Sequence, residues 1–186
     1  MLTNSFKGDI EYILNKLKRK DNFAFTKSAD GELTILINHF IDITSKANGE
    51  FKFDPNDPTD KFYRGELVKS HLYKHSEYYV GISCPCCEKD SKVEWMRETV
   101  GTENVTWANL FVNGNYDFFL DNVVPEFSDR RVFMICNKRA DIEELPFGVE
   151  KAFRVGTNAY KEDYHIIEEV KQFIENNTIK NSIFIF

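Results

Sequence analysis

Two carboxylates, Asp30 and Glu32, flank Gly31 where an apolar segment gives way to a helical one. Carboxylate oxygens suit hard cations such as Mg²⁺ and Mn²⁺, and such a cation can hold the diphosphate of a nucleotide. The same residues suit an ordinary capped turn, because Asp-Gly is a frequent turn and acidic residues stabilise the first turn of a helix. On these three residues alone the capped turn is favoured. Gly31 is expected there for a backbone reason.

A second polar set, Asn109, Asn113, Asn115 and Tyr116, lies within an aromatic stretch. Asn offers both donors and acceptors, which suits sugar hydroxyls or the edge of a nucleobase. Asn113 and Asn115 also flank a glycine, a strong turn signal that the sequence alone favours for these two residues. Lys138 follows a predicted strand, where its charge would offset that of a leaving diphosphate, although basic loop residues are usually just solvated.

Cysteines and histidines supply a third candidate site. His71 and His75 are four residues apart, and Cys84, Cys86 and Cys87 follow about ten residues later. His71, His75, Cys84 and Cys87 would make a tetrahedral zinc site, the weaker metal alternative to the carboxylates. The spacing matches no strong zinc pattern, so a proline-fixed turn lining a pocket is favoured. Nothing marks one thiol as an activated nucleophile.

Hydrophobic periodicity and turn residues predict the elements that position these side chains. Strands are predicted at residues 23–26, 78–82, 131–136, 152–155 and 182–186, and helices at residues 6–19, 33–40, 58–74, 93–99, 116–124 and 162–176. Asn4 or Ser5 would cap the first helix and Asp57 the third, with Phe62 and Leu72 among the inward residues of the third.

This alternation predicts an α/β fold, a Rossmann-like, doubly wound and mainly parallel sheet of about five strands with helices on both faces, in a single domain over residues 1–186. Ligands bind such sheets beyond the carboxyl ends of the strands, where the acidic turn, the cysteine turn and Lys138 are expected. The apolar run 182–186 is expected inside the sheet, beside exposed apolar surface that would favour a homo-oligomer.

The strand, residues 27–32 and the following helix together resemble the opening motif of the GT-D type glycosyltransferases. The resemblance continues through residues 78–82 and 106–116 and covers the chain from about residue 23 to its end. It implies a metal site of Asp30 and Glu32, also the catalytic pair, with Mn²⁺ or Mg²⁺ as cofactor. The implied donor is a nucleoside-diphosphate sugar, with a UDP-sugar expected, bound by the residues Lys27, Ser28, Gly31, Asn109, Asn113, Asn115 and Tyr116.

One position departs from that family. Lys27 stands where the family has Arg, which keeps a positive charge near a phosphate but loses the bidentate fork. The implied reaction is transfer of the sugar to an acceptor hydroxyl on a glycan, a glycoprotein or another polymer. Because the family continues past the last predicted strand, either a short or truncated member or some other cover for that strand is expected. Two alternatives stay open: a non-catalytic nucleotide- or sugar-binding domain of a larger assembly, and a zinc-stabilised interaction module.

Composition limits the function classes. A hydrophobic content of 42% with 17 Phe among 186 residues indicates a folded protein. The formal net charge of -6 disfavours a free nucleic-acid binder. No apolar stretch approaches the roughly 20 residues needed to span a bilayer, and the N-terminus lacks the pattern of a signal peptide. A cytoplasmic location with reduced cysteines is therefore expected.

Overall fold

Strands alternate with helices through most of the chain, which the computed structural model describes over residues 2–44 and 51–186 apart from the side chain of Asp30. The predicted mixed α/β fold with parallel strands is confirmed. Contacts divide the chain into an amino-terminal unit, Met1–Asp42 with Lys52–Phe119, and a carboxyl-terminal unit, Ile43–Phe51 with Leu120–Phe186. The single domain over residues 1–186 stays a prediction.

The amino-terminal unit is built on three parallel strands. Its elements are α1 (Phe6–Arg19), β1 (Ala24–Ser28), α2 (Asp30–Leu36), β2 (Ile41–Asp42), β3 (Lys52–Phe53), α3 (Pro58–His71), β4 (Tyr78–Ile82), α4 (Asp90–Thr99), β5 (Val105–Trp107) and α5 (Tyr116–Phe118). The sheet has the order β1-β4-β5, and β2 pairs with β3 in antiparallel fashion. Prediction gave the bounds of α1 and β4 correctly, whereas α2 begins three residues earlier than predicted.

Helices cover both faces of this sheet. On one face, Leu33 of α2 with Val93 and Met96 of α4 forms a core with β4 and β5 residues, namely Val80, Ile82 and Val105. Alternate residues of a strand point to opposite faces, so Tyr79 and Thr106 face the other way. On that side the Tyr79 hydroxyl lies 3.2 Å from that of Tyr12 in α1. The central strand is therefore buried on both faces, as parallel strands usually are.

A buried carboxylate fixes α1 to the sheet. Asp9 is fully buried, and its Oδ2 accepts a hydrogen bond of 2.5 Å from the Thr106 hydroxyl of β5. Its Oδ1 accepts from the backbone N–H of Thr3 at 2.6 Å and from the Thr3 hydroxyl at 3.1 Å. Ser5 caps the helix by accepting from the Gly8 N–H, in agreement with the sequence.

The inward face of α3 differs from the prediction. Phe62 and Leu72 are 56% and 52% exposed, and the buried residues of this helix are Asp60 and His71. Asp60 accepts a 2.8 Å hydrogen bond from the Asp54 N–H, so a polar contact orients this face. The Asp57 cap is confirmed, with its Oδ1 accepting from two backbone N–H groups.

The carboxyl-terminal unit also contains a three-stranded parallel sheet. Its elements are β6 (Arg131–Asn137), β7 (Lys151–Val155), α6 (Ala159–Glu162), α7 (Ile166–Asn176) and β8 (Ser182–Ile185), and the strand order is β7-β6-β8. Phe133, Phe153, Phe173 and Phe184 pack together, with ring centroids 4.9 to 5.4 Å apart. Before β6, the single helix predicted at residues 116–124 is replaced by three short pieces of α, π and 3₁₀ type over residues 116–127, the last containing Pro125.

The terminal strand lies at an edge. Among the described strands β8 pairs with β6 alone, so its predicted place inside a sheet is wrong. Phe186, just beyond it, is 86% exposed. The described strands form two three-stranded parallel sheets and one antiparallel pair, and their union in one doubly wound sheet stays a prediction. No described helix is long and apolar enough to cross a membrane.

Gly81 in the central strand permits an unusually close approach of backbone. A Cβ atom at this position would lie 2.8 Å from the Trp107 carbonyl oxygen, 2.9 Å from Ala108 Cα and 2.9 Å from Phe25 Cζ. Two of these three atoms belong to backbone, which cannot rotate away. Only glycine therefore fits here without displacing β5.

We expect Gly81→Ala to lower the free energy of unfolding by about 1–3 kcal/mol, the usual range for overpacking a core. Gly31→Ala is the matched control, because a Cβ there meets no described atom within 4 Å. Since alanine favours helix over glycine, the control should leave stability unchanged or raise it by up to about 1 kcal/mol. Urea unfolding measures both, and equal stabilities for the two variants would contradict the close approach.

His71, at the end of α3, is held as a neutral imidazole. Its Nε2 lies 3.0 Å from the Thr99 hydroxyl, which itself donates to the Trp95 carbonyl. Nε2 is therefore the protonated nitrogen, and Nδ1 is buried with no hydrogen-bond partner among the described residues. A second proton would create a buried, unpaired N–H. Burial accordingly lowers the pKa of His71 below its ordinary value.

This environment predicts a pH dependence of stability. Unfolded His71 titrates near the ordinary pKa of about 6.5, so between the two pKa values the unfolded chain binds more protons. Its contribution is fully present above about pH 6.5 and is lost as pH falls. We expect His71→Gln to reduce the loss of unfolding free energy between pH 7.5 and 5.5 in urea titrations. An unchanged difference between the two pH values would refute the assignment.

Candidate functional site

The carboxyl edge of the β1-β4-β5 sheet gathers most of the candidate residues. Ser28, Ile82 and Trp107, the last residues of the three strands, stand in register across the sheet. Parallel neighbours lie about 4.8 Å apart, so the segments that leave these strands begin close together. They are the acidic turn after β1, the cysteine turn after β4 and the loop with Asn109 after β5. The carboxyl edge of the sheet, where the sequence predicts ligand binding, is therefore formed by strands of the amino-terminal unit.

In the acidic turn, Glu32 partly fulfils the capping function considered for it. Its Oε2 accepts a 2.9 Å hydrogen bond from the backbone N–H of Ala29, the residue before α2. A carboxylate has further lone pairs, so this bond leaves capacity for a cation. Asp30 is the first residue of α2, and its side chain lies outside the described part of the structure.

Gly31 has no backbone reason to be glycine. No described glycine has a positive φ, and the space where its Cβ would stand holds no described atom within 4 Å. The expected backbone constraint at this position is therefore wrong. The open space is compatible with a ligand over the turn, and it makes Gly31→Ala a clean substitution.

Two buried polar atoms at this edge have no hydrogen-bond partner among the described residues: Ser28 Oγ and Asn109 Oδ1. Asn109 Nδ2 lies 3.9 Å from Cys84 Sγ, which places the amide beside the cysteine turn. If the amide oxygen and nitrogen of Asn109 were exchanged, an NH₂ group would lie unpaired in place of the oxygen. Either orientation of the amide therefore leaves one buried polar atom without a partner among the described residues. Most buried polar groups are hydrogen-bonded, and each exception calls for an explanation such as a bound water, an ion or a ligand.

The other members of the asparagine set have different environments. Asn115 is buried and donates through Nδ2 to the carbonyls of Phe6 and Leu110, at 3.0 and 2.8 Å. This amide therefore joins α1 to the loop after β5, as a structural residue would. Asn113 is exposed with φ of 54°, in agreement with the turn reading, and Tyr116 is 49% exposed.

The two basic candidates are both exposed. Lys27 stands within β1, in register with Gly81. Lys138 belongs to the carboxyl-terminal unit, where it follows β6 and its backbone N–H donates to the Val155 carbonyl at 2.8 Å. Neither side chain has a buried environment that would single it out.

The cysteine turn contains a disulfide between Cys84 and Cys86 and a thiol at Cys87. The prediction of four reduced cysteines is therefore wrong for the first pair, because the turn brings these sulfurs together. The three sulfurs lie within 4.8 Å of one another, and this group includes no histidine. His71 bonds to Thr99, and His75 Nδ1 accepts from the Glu77 N–H at 3.1 Å.

A cavity of about 280 Å³ lies at the opposite, amino-terminal edge of the same sheet, where sequence reasoning placed no site. Its lining is mainly aromatic and includes Phe23, Tyr73 and Tyr78. The carboxylate on its wall, Glu77, is already paired with Lys16. We assign the candidate site to the carboxyl edge, since two of the buried unpartnered atoms among the described residues, Ser28 Oγ and Asn109 Oδ1, lie there with the acidic turn, whereas the third, His71 Nδ1, does not.

Comparison of the chain with protein-family models, with curated proteins and with solved structures finds no match. No relative therefore supplies a function for the residues at the carboxyl edge. The chemically distinctive groups at this edge are the acidic turn, the buried atoms Ser28 Oγ and Asn109 Oδ1, and the cysteine turn.

Proposed function

We propose that this chain is a metal-dependent glycosyltransferase of the GT-D type, which transfers a sugar from a nucleoside-diphosphate sugar to an acceptor hydroxyl. The supporting observation is the pair of buried, unpartnered atoms, Ser28 Oγ and Asn109 Oδ1, at the same sheet edge as the acidic turn. In parallel α/β sheets this edge is where ligands bind, and buried polar atoms without partners are expected where a ligand completes the hydrogen bonding.

In this proposal Asp30 and Glu32 hold Mn²⁺ or Mg²⁺. Magnesium sites of this kind commonly use one or two carboxylates together with phosphate oxygens of the substrate. No group of three potential ligand side chains among the described residues includes Glu32, so phosphate and water would supply the other ligands. A divalent cation there stabilises the negative charge that builds on the departing diphosphate.

Ser28 and Asn109 would position the donor. The Ser28 hydroxyl can donate to a phosphate or sugar oxygen, and Asn109 Oδ1 can accept from a sugar hydroxyl or a base N–H. Lys27, exposed on the same strand as Ser28, supplies positive charge near the diphosphate. The donor is expected to be a UDP-sugar and the acceptor a glycan or glycoprotein.

The finer fold assignment is part of the same proposal. We take β1, β4 and β5, with helices on both faces, as the centre of a Rossmann-like, doubly wound sheet of about five strands. The acidic turn after the first strand of such a sheet is where the metal and nucleotide would bind.

A non-catalytic nucleotide- or sugar-binding domain is the second candidate. It is favoured by the structural use of two candidate groups, Glu32 Oε2 in a helix cap and the Asn115 amide in a loop contact. Release of UDP from UDP-sugars in the presence of Mn²⁺ separates the two candidates. Metal-dependent binding without hydrolysis or transfer across a panel of donors would support the second.

We expect Asp30→Asn and Glu32→Gln each to abolish the Mn²⁺-dependent part of UDP affinity while the fold is retained. Both replacements remove the charge but keep an oxygen, so the hydrogen bond from Ala29 to residue 32 can persist. Calorimetric titration of UDP with and without Mn²⁺ measures the effect on the wild type and both variants.

Asp90→Asn is the matched control for this pair of variants. Asp90 is the first residue of α4, as Asp30 is of α2, so the substitution makes the same change in another helical first turn. The control should bind UDP and Mn²⁺ as the wild type does. Unchanged metal-dependent affinity in both site variants would leave the acidic turn as an ordinary capped turn and remove the basis of the proposal.

Ser28→Ala tests the unpartnered hydroxyl. Removing a buried polar group without a partner should leave the free energy of unfolding unchanged or raise it. Loss of one ligand hydrogen bond should raise the Kd for UDP-sugar about two- to tenfold. Ser128→Ala is the contrasting control, because its hydroxyl donates to the Pro125 carbonyl at 2.8 Å, so stability should fall and binding should not change. Reduced stability with unchanged binding in Ser28→Ala would show a structural hydroxyl.

A further inference from the structure

Three sulfurs meet on the turn that leaves the central strand of the amino-terminal sheet. Cys84 is buried, whereas Cys86 and Cys87 are exposed. The Cys87 sulfur lies 3.5 Å from that of Cys84 and 3.5 Å from that of Cys86, which are joined as a disulfide. The three residues form one compact group, and solvent reaches two of them.

The backbone holds this arrangement in place. The N–H groups of Cys87 and Glu88 both donate to the Cys84 carbonyl, at 2.9 and 3.1 Å. Pro85 fixes its own φ between the first two cysteines. Glu88 is paired with Lys92 of α4 at 3.1 Å, which ties the end of the turn to the next helix. The sulfurs are thus brought together by the fold as well as by the disulfide.

The separations suit a thiophilic cation. Zinc–sulfur bonds of about 2.3 Å in a tetrahedron place the sulfurs about 3.8 Å apart. The distances of 3.5 Å from Cys87 to its two neighbours are near this value, and reduction frees the Cys84 and Cys86 sulfurs, now bonded to each other, to separate and complete the triangle. Three thiols cannot all pair in disulfides, whereas one metal ion can bind all three.

We propose that, once the Cys84–Cys86 disulfide is reduced, Cys84, Cys86 and Cys87 bind one zinc ion as thiolates. Reduction by two molecules of a small thiol converts the disulfide into two cysteine thiols and yields the small-molecule disulfide. Zinc then displaces the three thiol protons to solvent. The fourth ligand is water or an exogenous donor, because the described residues add no fourth His, Cys, Asp or Glu to this group.

Excess small thiol favours the reduced, metal-bound form over this disulfide. A disulfide gains stability mainly from the loop that it closes, and Cys84 and Cys86 are separated by two positions only. The Cys87 thiol lies 3.5 Å from both sulfurs of this disulfide and can take part in thiol–disulfide exchange with it. The site differs from the His71, His75, Cys84 and Cys87 set in that it uses no histidine. It adjoins the proposed donor site, since Cys84 Sγ lies 3.9 Å from Asn109 Nδ2, but metal binding by the three cysteines does not require that function.

The test uses the full chain, reduced under anaerobic conditions and freed of metal, and then titrated with Co²⁺ and Zn²⁺. We expect one Co²⁺ per chain, with thiolate charge-transfer bands and the visible bands of tetrahedral cobalt, bleached by one equivalent of Zn²⁺. The oxidised chain should show none of these bands. Cys87→Ser should lose stoichiometric binding, and its thermal unfolding should no longer shift with Zn²⁺.

Cys136→Ser is the matched control, because Cys136 is a buried thiol outside the group. It should keep one metal per chain and the same spectrum. Two outcomes would overturn the proposal: a fully reduced, folded chain that binds no stoichiometric metal, or a Cys84–Cys86 disulfide that persists in excess small thiol. Because the readout is metal binding without nucleotide, failure here leaves the proposed glycosyltransferase unaffected, and the reverse also holds.

Discussion

The absence of a side chain at Gly81 is the constraint from which the geometry of the carboxyl edge follows. It lets the Trp107 carbonyl and Ala108 approach the central strand to distances that a Cβ atom would forbid. The pairing then extends one residue past β5, since the Ala108 N–H donates to the Ile82 carbonyl at 2.7 Å. Asn109 consequently emerges beside Cys84. One missing methyl group thus determines where the loop after β5 can place its polar side chain.

Two buried charged groups of the amino-terminal unit, Asp9 and Lys16, both have hydrogen-bonding partners. Asp9, fully buried, receives three hydrogen bonds from Thr3 and Thr106. Lys16 is also buried; burial lowers its pKa, but the bonds to Glu77 and Tyr79 outweigh this, so the pKa of Lys16 lies above its ordinary value. Removing one partner of such a group usually costs several kcal/mol. These contacts fix α1 against one face of the sheet and leave the carboxyl edge to the loops.

Local signals in the sequence predicted the elements well and their partners poorly. Ser5 and Asp57 were recognisable as caps because a cap depends on neighbours a few residues away. The edge position of β8 and the polar inner face of α3 depend on residues far along the chain. Phe62 fitted the apolar spacing of a buried face, yet the bond from Asp54 to Asp60 turns another face inward. Among the candidate residues, residue type alone favoured a capped turn for the acidic turn, and the family resemblance made this turn and Asn109 site candidates. The Cys84–Cys86 disulfide could not be predicted without the fold of the turn.

The contrast between satisfied and unsatisfied polar groups in one sheet is the strongest physical argument for a ligand. A buried polar atom without a partner costs about 1–3 kcal/mol, against a total stability of about 5–15 kcal/mol for a typical domain. Asp9 shows that this sheet can satisfy even a buried carboxylate, whereas Ser28 Oγ and Asn109 Oδ1 find no partner among the described residues. Both lie at the edge where parallel sheets bind ligands. A bound molecule that hydrogen-bonds to both atoms would recover that free energy, and this is the reason for which the proposed function joins the two atoms and the acidic turn in one site.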